Sequence, residues 1–141
     1  IRAFIASGDV QSAQELLGHP FSITGLVQKG DGRGKKLGFP TANIDLSPNI
    51  IVPLGVYAAR VLINKKMFNG MANIGQRPSF AKGNRVVLEV HILNFKKNIY
   101  GKSIEIEFVR KIRSEQKFSS REELIAQIKR DKCKALSILR A

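Results

Sequence analysis

The chain is poor in the residues that build covalently linked or metal-bound cores. Its 141 residues include no tryptophan, one cysteine and two histidines. The single cysteine, Cys133, excludes an internal disulfide, and two distant histidines, His19 and His91, are too few for a structural zinc site. No apolar run approaches the ~20 residues that a membrane-spanning helix needs. These absences are typical of one ordinary domain in a reducing compartment, and we expect a cytoplasmic location.

Acidic residues are also scarce. Eleven of them stand against 24 lysines and arginines, which gives a formal net charge of +13. A small basic domain is a candidate nucleic-acid binder. The basic residues are spread along the chain, however, and its eight Phe and two Tyr occur singly, with no aromatic pair suited to base stacking. We therefore expect no nucleic acid as the main partner, and interpret the charge as a solvated surface that attracts anionic nucleotides.

Hydrophobic periodicity divides the chain into a helical start, a strand-rich centre and a helical end. Residues 1–17 have helical spacing that is interrupted at Gly8, and Asp9 is a candidate N-cap for the second part. Short β-rich runs separated by turn residues then follow, with no helix between them. This pattern predicts a mainly β fold, a closed or Greek-key barrel. The predicted strands are 21–28, 55–63, 67–74, 86–93 and 103–109, with a hairpin across 64–65 and loops at 45–53 and 75–84.

The last twenty residues have the pattern of an amphipathic helix. Ser119 followed by Glu122 has the spacing of a capping box at its start. The helix then carries an apolar stripe that we expect to pack against the barrel, while the cations opposite it are solvated and do not form a membrane anchor. The stripe consists of Leu124, Ile125, Ile128, Ala135 and Leu139.

A glycine-rich stretch, GDGRGKKLGFPTAN over residues 30–43, is the most informative segment. Glycines let a backbone approach phosphate oxygens closely, and the cations offset phosphate charge. If the chain is extended after Pro40, Thr41 and Asn43 point the same way, and their neutral oxygens suit Mg²⁺ that arrives with a nucleotide. The spacing is neither a Walker loop nor a dinucleotide fingerprint. On spacing alone, a flexible turn with solvated cations is an equally good interpretation.

A second anomaly is Glu89, within the apolar run VVLEVHIL of residues 86–93. In a strand, Glu89 and His91 share one face, and Leu88 and Val90 share the other. A carboxylate there is costly unless it faces solvent, is paired or has a function. The sequence alone leaves a solvent-facing residue and a functional residue equally open.

The motifs taken together resemble the riboflavin kinase family, most of all the C-terminal kinase module of bacterial bifunctional FAD synthetases. The similarity runs from about residue 17 to about 131, in the motif order GDGRGKKLGFPTANI, PLGVYA, NIGQRPSF, LEVHILNF, IYGKSIEIEF and IRSEQKF. It implies a small closed Greek-key barrel of six antiparallel strands, with an N-terminal linker helix and a C-terminal helix packed on it. It also implies phosphorylation of the riboflavin 5′-hydroxyl. ATP is the phosphate donor, Mg²⁺ is required with it, and the products are FMN and ADP.

The resemblance further implies roles for individual residues. Glu89 would be the catalytic base, and Thr41 and Asn43 would bind the metal. Residues 1–17 would be a linker from an upstream adenylyltransferase module in cis, and 18–141 the kinase domain; we expect no adenylylation from this chain. For the kinase, the nucleotide contacts would be Gly30, Lys35 or Lys36, Thr41, Asn43, Ile92, Asn94 and Tyr100, and the flavin contacts would be Arg113, Gln116 and Phe118.

The alternative function is that of a non-catalytic basic β-barrel that binds nucleic acid or flavin.

Overall fold

The computed structural model of the chain describes residues 1–28, 41–46, 51–79, 83–95 and 97–140. Two short helices precede six strands, and a long helix follows them. The elements are α1 (Arg2–Ser7), α2 (Val10–Leu17), β1 (Ser22–Leu26), β2 (Ala42–Asp45), β3 (Gly55–Ile63), β4 (Lys66–Ser79), β5 (Gly83–Ile92), β6 (Ser103–Arg113) and α3 (Arg121–Arg140).

The strands form one antiparallel sheet in the order β1-β6-β3-β4-β5-β2. Its two edges come together because Gln28, just after β1, forms a bridge with Asn43 of β2. The sheet is therefore a nearly closed barrel. Strand β6 returns to lie beside β3 after the β3-β4-β5 meander, which is a Greek-key connection. The predicted mainly β, six-stranded antiparallel barrel is confirmed.

Alternating side chains fill the barrel interior, as the period of two in a strand requires. Tyr57 of β3 and Phe108 of β6 are fully buried and meet edge to face, with ring centroids 5.4 Å apart. Leu88 and Val90 of β5 belong to the same core. Burial raises the pKa of the Tyr57 hydroxyl to about 12, and this hydroxyl donates to the carbonyl of Leu54 at 3.1 Å.

The hairpin between β3 and β4 turns at the predicted residues. Asn64 and Lys65 both have positive φ, 50° and 68°, the geometry that matches the twist of a two-residue hairpin. The polar loop predicted over 75–84 is largely wrong, because β4 continues to Ser79 and β5 begins at Gly83. Backbone pairing with the opposite strand carries β4 through polar residues, and a polarity pattern does not reveal such pairing.

The helical start contains the predicted interruption. Gly8 adopts φ 86° between α1 and α2, and the Asp9 carboxylate accepts from the Ser12 amide at 3.1 Å, as expected of an N-cap. Hydrogen bonds from Ser12 lower the pKa of Asp9. The α2 helix lies against the barrel, since Val10 is 1% exposed and belongs to the interior core.

The last helix packs on the outside of the barrel, against β3, β4 and β6. Its Ala135 and Leu139 form a second apolar cluster with Ala58 and Met71, which confirms the predicted docking of the helix. The predicted N-cap residue, Ser119, is wrong by one position. The capping residue is Ser120, whose hydroxyl accepts from the Glu123 amide at 3.2 Å. No helix in the described ranges is long and apolar enough to cross a membrane.

Candidate functional site

Strand β5 presents Glu89 on the outer face of the barrel. Its neighbours Leu88 and Val90 are fully buried in the interior, whereas Glu89 and His91 are half-buried on the opposite face. The alternation predicted for this strand is confirmed. Glu89 is therefore a carboxylate on a rigid strand, at a place that ligands can reach from outside the barrel.

The sheet register aligns Glu89 with four other residues in one row that crosses five strands. Asn43 of β2 pairs with Glu89, Glu89 pairs with Asn73 of β4, Asn73 pairs with Val56 of β3, and Val56 pairs with Arg113 of β6. Directly opposed residues of antiparallel strands share a face, so each of these five residues lies on the outer face of the sheet, which curves around the barrel. Arg113 lies three strand spacings from Glu89, which is roughly 14 Å along the curved sheet at about 4.8 Å per strand. We call these five residues the outer row.

The β2 end of the outer row carries side chains with neutral oxygen atoms. Thr41 and Asn43 are half-buried and alternate with the buried Ala42 and Ile44, so the predicted shared direction of Thr41 and Asn43 is confirmed. The Asn43 amide Nδ2 donates to the carbonyl of Thr41 at 3.5 Å, so this contact does not engage Oδ1. Amide, hydroxyl and carbonyl oxygens fit Mg²⁺ that a nucleotide brings with it.

At the β6 end of the outer row, hydrogen bonds fix the guanidinium of Arg113. The Arg113 Nε donates to Oδ2 of Asp131 in α3 at 2.9 Å, and its Nη1 donates to the carbonyl of Ser114 at 3.2 Å. Its guanidinium carbon lies 5.5 Å from the centroid of the Phe118 ring, a cation–π distance. Arg113 and Phe118 are thus brought together, as predicted for a flavin subsite. Gln116, assigned to the same subsite, is exposed.

The residues predicted to line an adenosine pocket lie around the start and end of the β5–β6 connection. Asn94 is exposed and has φ 56°, and Tyr100 is 57% exposed. Ile92 points into the barrel core and is 7% exposed. The Gly101 amide donates to the carbonyl of Val27 at 2.8 Å, so this connection lies beside the chain that leads into the glycine-rich stretch. The predicted phosphate contacts Gly30, Lys35 and Lys36 lie outside the described residues.

Two residues of this surface were not predicted from the sequence. Asn73 occupies the centre of the outer row, and Asp131 is 3% exposed and holds Arg113. Asp131 has a sequence signal, because it lies three residues after Ile128 and four before Ala135, within the apolar stripe of α3. A charged residue in such a stripe indicates a buried partner. Asn73 gives no comparable signal, since its importance depends on strand register.

Comparison with known proteins identifies relatives over nearly the whole chain. The family model for riboflavin kinase, or flavokinase, matches residues 17–139. The bifunctional riboflavin kinase/FMN adenylyltransferase of Bacillus subtilis (strain 168) is 43% identical over 139 residues, which cover 96% of this chain and 44% of that relative. The chain therefore spans less than half the length of this curated relative.

Solved structures share the fold. The riboflavin kinase from Trypanosoma brucei matches with a TM-score of 0.61 and 27% identity, over 86% of this chain and 80% of its own. A chain described as a macrolide-efflux protein from Streptococcus pneumoniae matches with a TM-score of 0.85 and 35% identity, over 93% of this chain and 43% of its own. We do not infer macrolide efflux for this chain from that description, because a shared fold does not by itself imply a shared activity.

Proposed function

The chain belongs to the riboflavin kinase family, and from this premise we propose that it transfers the γ-phosphoryl group of ATP to the 5′-hydroxyl of riboflavin. The products are FMN and ADP. The observation that carries the proposal for this chain is the outer row, in which oxygen ligands, a carboxylate and an arginine follow one another across the sheet. Phosphoryl transfer to an alcohol uses a metal-bound phosphate, a base that accepts the hydroxyl proton, and a binding site for the rest of the acceptor.

In this proposal Glu89 is the general base. Its carboxylate takes the proton from the 5′-hydroxyl while that oxygen attacks the γ-phosphorus and ADP leaves. Asn43, directly opposite Glu89 in β2, keeps the phosphate end within one strand spacing of the base. Because β2 and β5 are paired, the distance between these two groups is set by backbone hydrogen bonds and not by a flexible loop.

Thr41 and Asn43 are proposed to contact the Mg²⁺ that enters with ATP. When bound, the ion neutralises the charge of the β- and γ-phosphates. Neither side chain is charged, so we infer that the metal binds well only together with the nucleotide. Gly30 and the Lys35–Lys36 pair are proposed phosphate contacts, and Asn94 and Tyr100 are proposed adenosine contacts. Ile92, whose side chain lies in the barrel core, stays a prediction from the sequence.

The flavin ring is proposed to bind at the β6 end of the outer row. Its 5′-hydroxyl and its isoalloxazine ring are separated by the ribityl chain, so their binding sites must also be separated. Glu89 and Arg113 lie three strand spacings apart along the curved sheet, which supports such a separation of the two sites. Phe118 supplies an apolar face and Arg113 hydrogen-bond donors, which suit a flat heterocycle with carbonyl groups. Gln116 is a proposed polar contact at the rim.

We further propose that the chain acts within a longer bifunctional protein. The Bacillus subtilis relative bears the name of both a kinase and an FMN adenylyltransferase. Residues 1–17 would then join the upstream adenylyltransferase module to the kinase domain at 18–141, with α2 anchored on the barrel through Val10. We also propose a cytoplasmic location, where ATP, the proposed phosphate donor, is abundant.

The decisive experiment is incubation of the chain with riboflavin, ATP and Mg²⁺, with flavins separated by chromatography. We expect FMN and an equal amount of ADP, and no FAD. Riboflavin that remains unphosphorylated by a folded chain would refute the proposal. Tight RNA binding that weakens with added salt, together with no FMN, would support the alternative of a non-catalytic basic barrel.

A further inference from the structure

The side chain of Asn73 is a polar group without a visible structural purpose. Its Oδ1 is buried and has no hydrogen-bond donor among the residues that the structure describes. Buried acceptors are normally paired, because an unpaired one has lost water and gained nothing in exchange. Asparagine is also disfavoured in strands. This side chain therefore opposes the stability of β4.

The backbone around Asn73 gives no reason for the carboxamide. Asn73 is paired with Val56 on one side and with Glu89 on the other, so its own backbone lies within two ladders. An asparagine that serves a turn or a cap supplies hydrogen bonds that the backbone lacks. In the interior of a sheet that need does not arise.

The position of Asn73 is that of a substrate contact. It lies beside the candidate base Glu89, at the separation of about 5 Å that directly paired residues have. On its other side is Val56, which is 5% exposed, and beyond Val56 lies Arg113. Along the outer row, Asn73 therefore lies between Glu89 and Val56, and Val56 is the apolar residue next to Arg113 of the proposed flavin subsite.

We propose that the Asn73 carboxamide hydrogen-bonds a secondary hydroxyl of the ribityl chain, adjacent to the 5′-hydroxyl that Glu89 deprotonates. This inference rests on the proposed kinase function. A hydroxyl both donates and accepts, so it can satisfy an amide oxygen or an amide nitrogen. Asn73 as a whole is partly exposed, and half a turn about its terminal torsion exchanges Oδ1 and Nδ2. After that half turn Oδ1 faces the ligand, where a ribityl hydroxyl donates to it.

Such a contact makes Asn73 a specificity-determining residue. A site built to bond a hydroxyl discriminates against an analogue that lacks it, because the protein group is then left unpaired. The terminal hydroxyl alone would not suffice for full activity. We infer selection for a flavin that carries a polyol chain over one that carries a simple hydroxyalkyl chain.

The test crosses one substitution with two substrates. The substrates are riboflavin and a flavin whose ribityl chain is replaced by an unbranched hydroxyalkyl chain of equal length with the same terminal hydroxyl. We expect Asn73→Ala to lower kcat/KM for riboflavin about threefold to tenfold and to leave the value for the analogue unchanged. The matched control is Asn69→Ala, in the same strand but exposed. It should change neither value.

The outcomes separate this inference from the proposed function. Wild-type protein that makes no FMN would refute both, whereas FMN formation with equal losses for the two substrates, or no loss, would refute only the role of Asn73. A second readout needs no substrate. Removal of an unpaired acceptor should raise the melting temperature of Asn73→Ala by about 3 °C. A lower melting temperature would show that the carboxamide stabilises the sheet, and would overturn the inference.

Discussion

The side chains of Arg113 and Asp131 form a hydrogen-bonded ion pair, with Nε and Oδ2 separated by 2.9 Å, that ties the end of β6 to the middle of α3. The Asp131 side chain is 3% exposed and that of Arg113 is 18% exposed, so water screens the pair weakly. The other carboxylate oxygen, Oδ1, accepts from Nε2 of Gln127 at 2.9 Å. Asp131 therefore fixes the direction in which Arg113 presents its remaining donors.

Asp131→Asn should weaken riboflavin binding. The amide keeps the shape but loses the charge that holds Arg113, and we expect a rise in the riboflavin KM of about tenfold with little change in the KM for ATP. The free energy of unfolding should fall by about 1–3 kcal/mol. Steady-state kinetics and urea unfolding measure these effects. The control is Asp45→Asn, which removes the exposed 4.0 Å pair with Arg85 and should alter stability little. An unchanged riboflavin KM in Asp131→Asn would contradict a positioning role.

Glu89→Gln should lower kcat by at least ~10²-fold, the range for loss of a general base. The substitution is nearly isosteric, so nucleotide and riboflavin affinity should be retained; rapid-quench measurement of FMN formation and calorimetric titration check the two statements. Glu107→Gln is the matched control, since Glu107 is a half-buried glutamate of β6 outside the outer row. Near-normal turnover by Glu89→Gln would remove Glu89 from the chemistry.

Asn43→Ala should weaken the binding of ATP by about tenfold when Mg²⁺ is present and much less when the metal is chelated. The reason is that Asn43 is proposed to contact the metal and not the nucleotide itself. Isothermal titration with ATP, with and without Mg²⁺, measures the difference. An equal loss under both conditions would point to a direct nucleotide contact or to damage of the β2–β5 pairing.

Gly8→Ala should destabilise the fold more than Gly18→Ala. Both glycines have positive φ, 86° and 79°, which costs an alanine about 1–2 kcal/mol. At Gly18 an added Cβ would meet nothing within 4 Å, whereas at Gly8 it would lie 2.5 Å from the Tyr57 hydroxyl. We expect a loss in the free energy of unfolding of about 3 kcal/mol for Gly8→Ala and about 1 kcal/mol for Gly18→Ala, measured by urea unfolding. Equal losses would mean that the junction of α1 and α2 moves away from the barrel at no cost.

Tyr57 should make the fold sensitive to alkaline pH. Its pKa in the folded chain is raised to about 12, above the ordinary value near 10, so between these values the unfolded chain loses the phenolic proton and the folded chain keeps it. The free energy of unfolding then falls by about 1.4 kcal/mol per pH unit as the pH rises.

Tyr57→Phe isolates this contribution. The variant lacks the hydroxyl and its bond to Leu54, so it should be about 1 kcal/mol less stable at pH 8. Its stability should fall less steeply than that of the wild type above pH 10. Urea unfolding at a series of pH values compares the two, and lysine titration affects both alike. Parallel pH curves would contradict the burial of an unionised phenol.

Local patterns predicted the elements that depend on neighbouring residues. The alternation in residues 86–93 predicted that Glu89 lies on the face opposite Leu88 and Val90, because a strand has a fixed period of two. The turn at Asn64–Lys65 and the cap at Asp9 followed from residues that favour those conformations. Where two serines compete for a cap, as at Ser119 and Ser120, the pattern was wrong by one residue.

The outer row depended on information that the sequence does not display. Its members at positions 43, 56, 73, 89 and 113 become neighbours only through the register of four strand pairs. The register of β6 against β3 shifts twice, between Val56 and Tyr57 and between Ala58 and Ala59. Each shift changes which β6 residue faces a given β3 residue, so a regular register would give β3 other neighbours in β6.

The sequence by itself determined the mainly β fold, the two helical ends and the family to which the chain belongs, because these depend on residue type, short-range periodicity and motif order. The proposed role of Glu89 as the base came from the resemblance to that family. Only the tertiary structure decided that Asn73 lies beside Glu89 with an unpaired oxygen, and that Asp131 holds Arg113. Both are contacts between segments distant in the chain. Their existence depends on strand register and helix docking, which are set by the packing of the whole barrel and not by any local pattern.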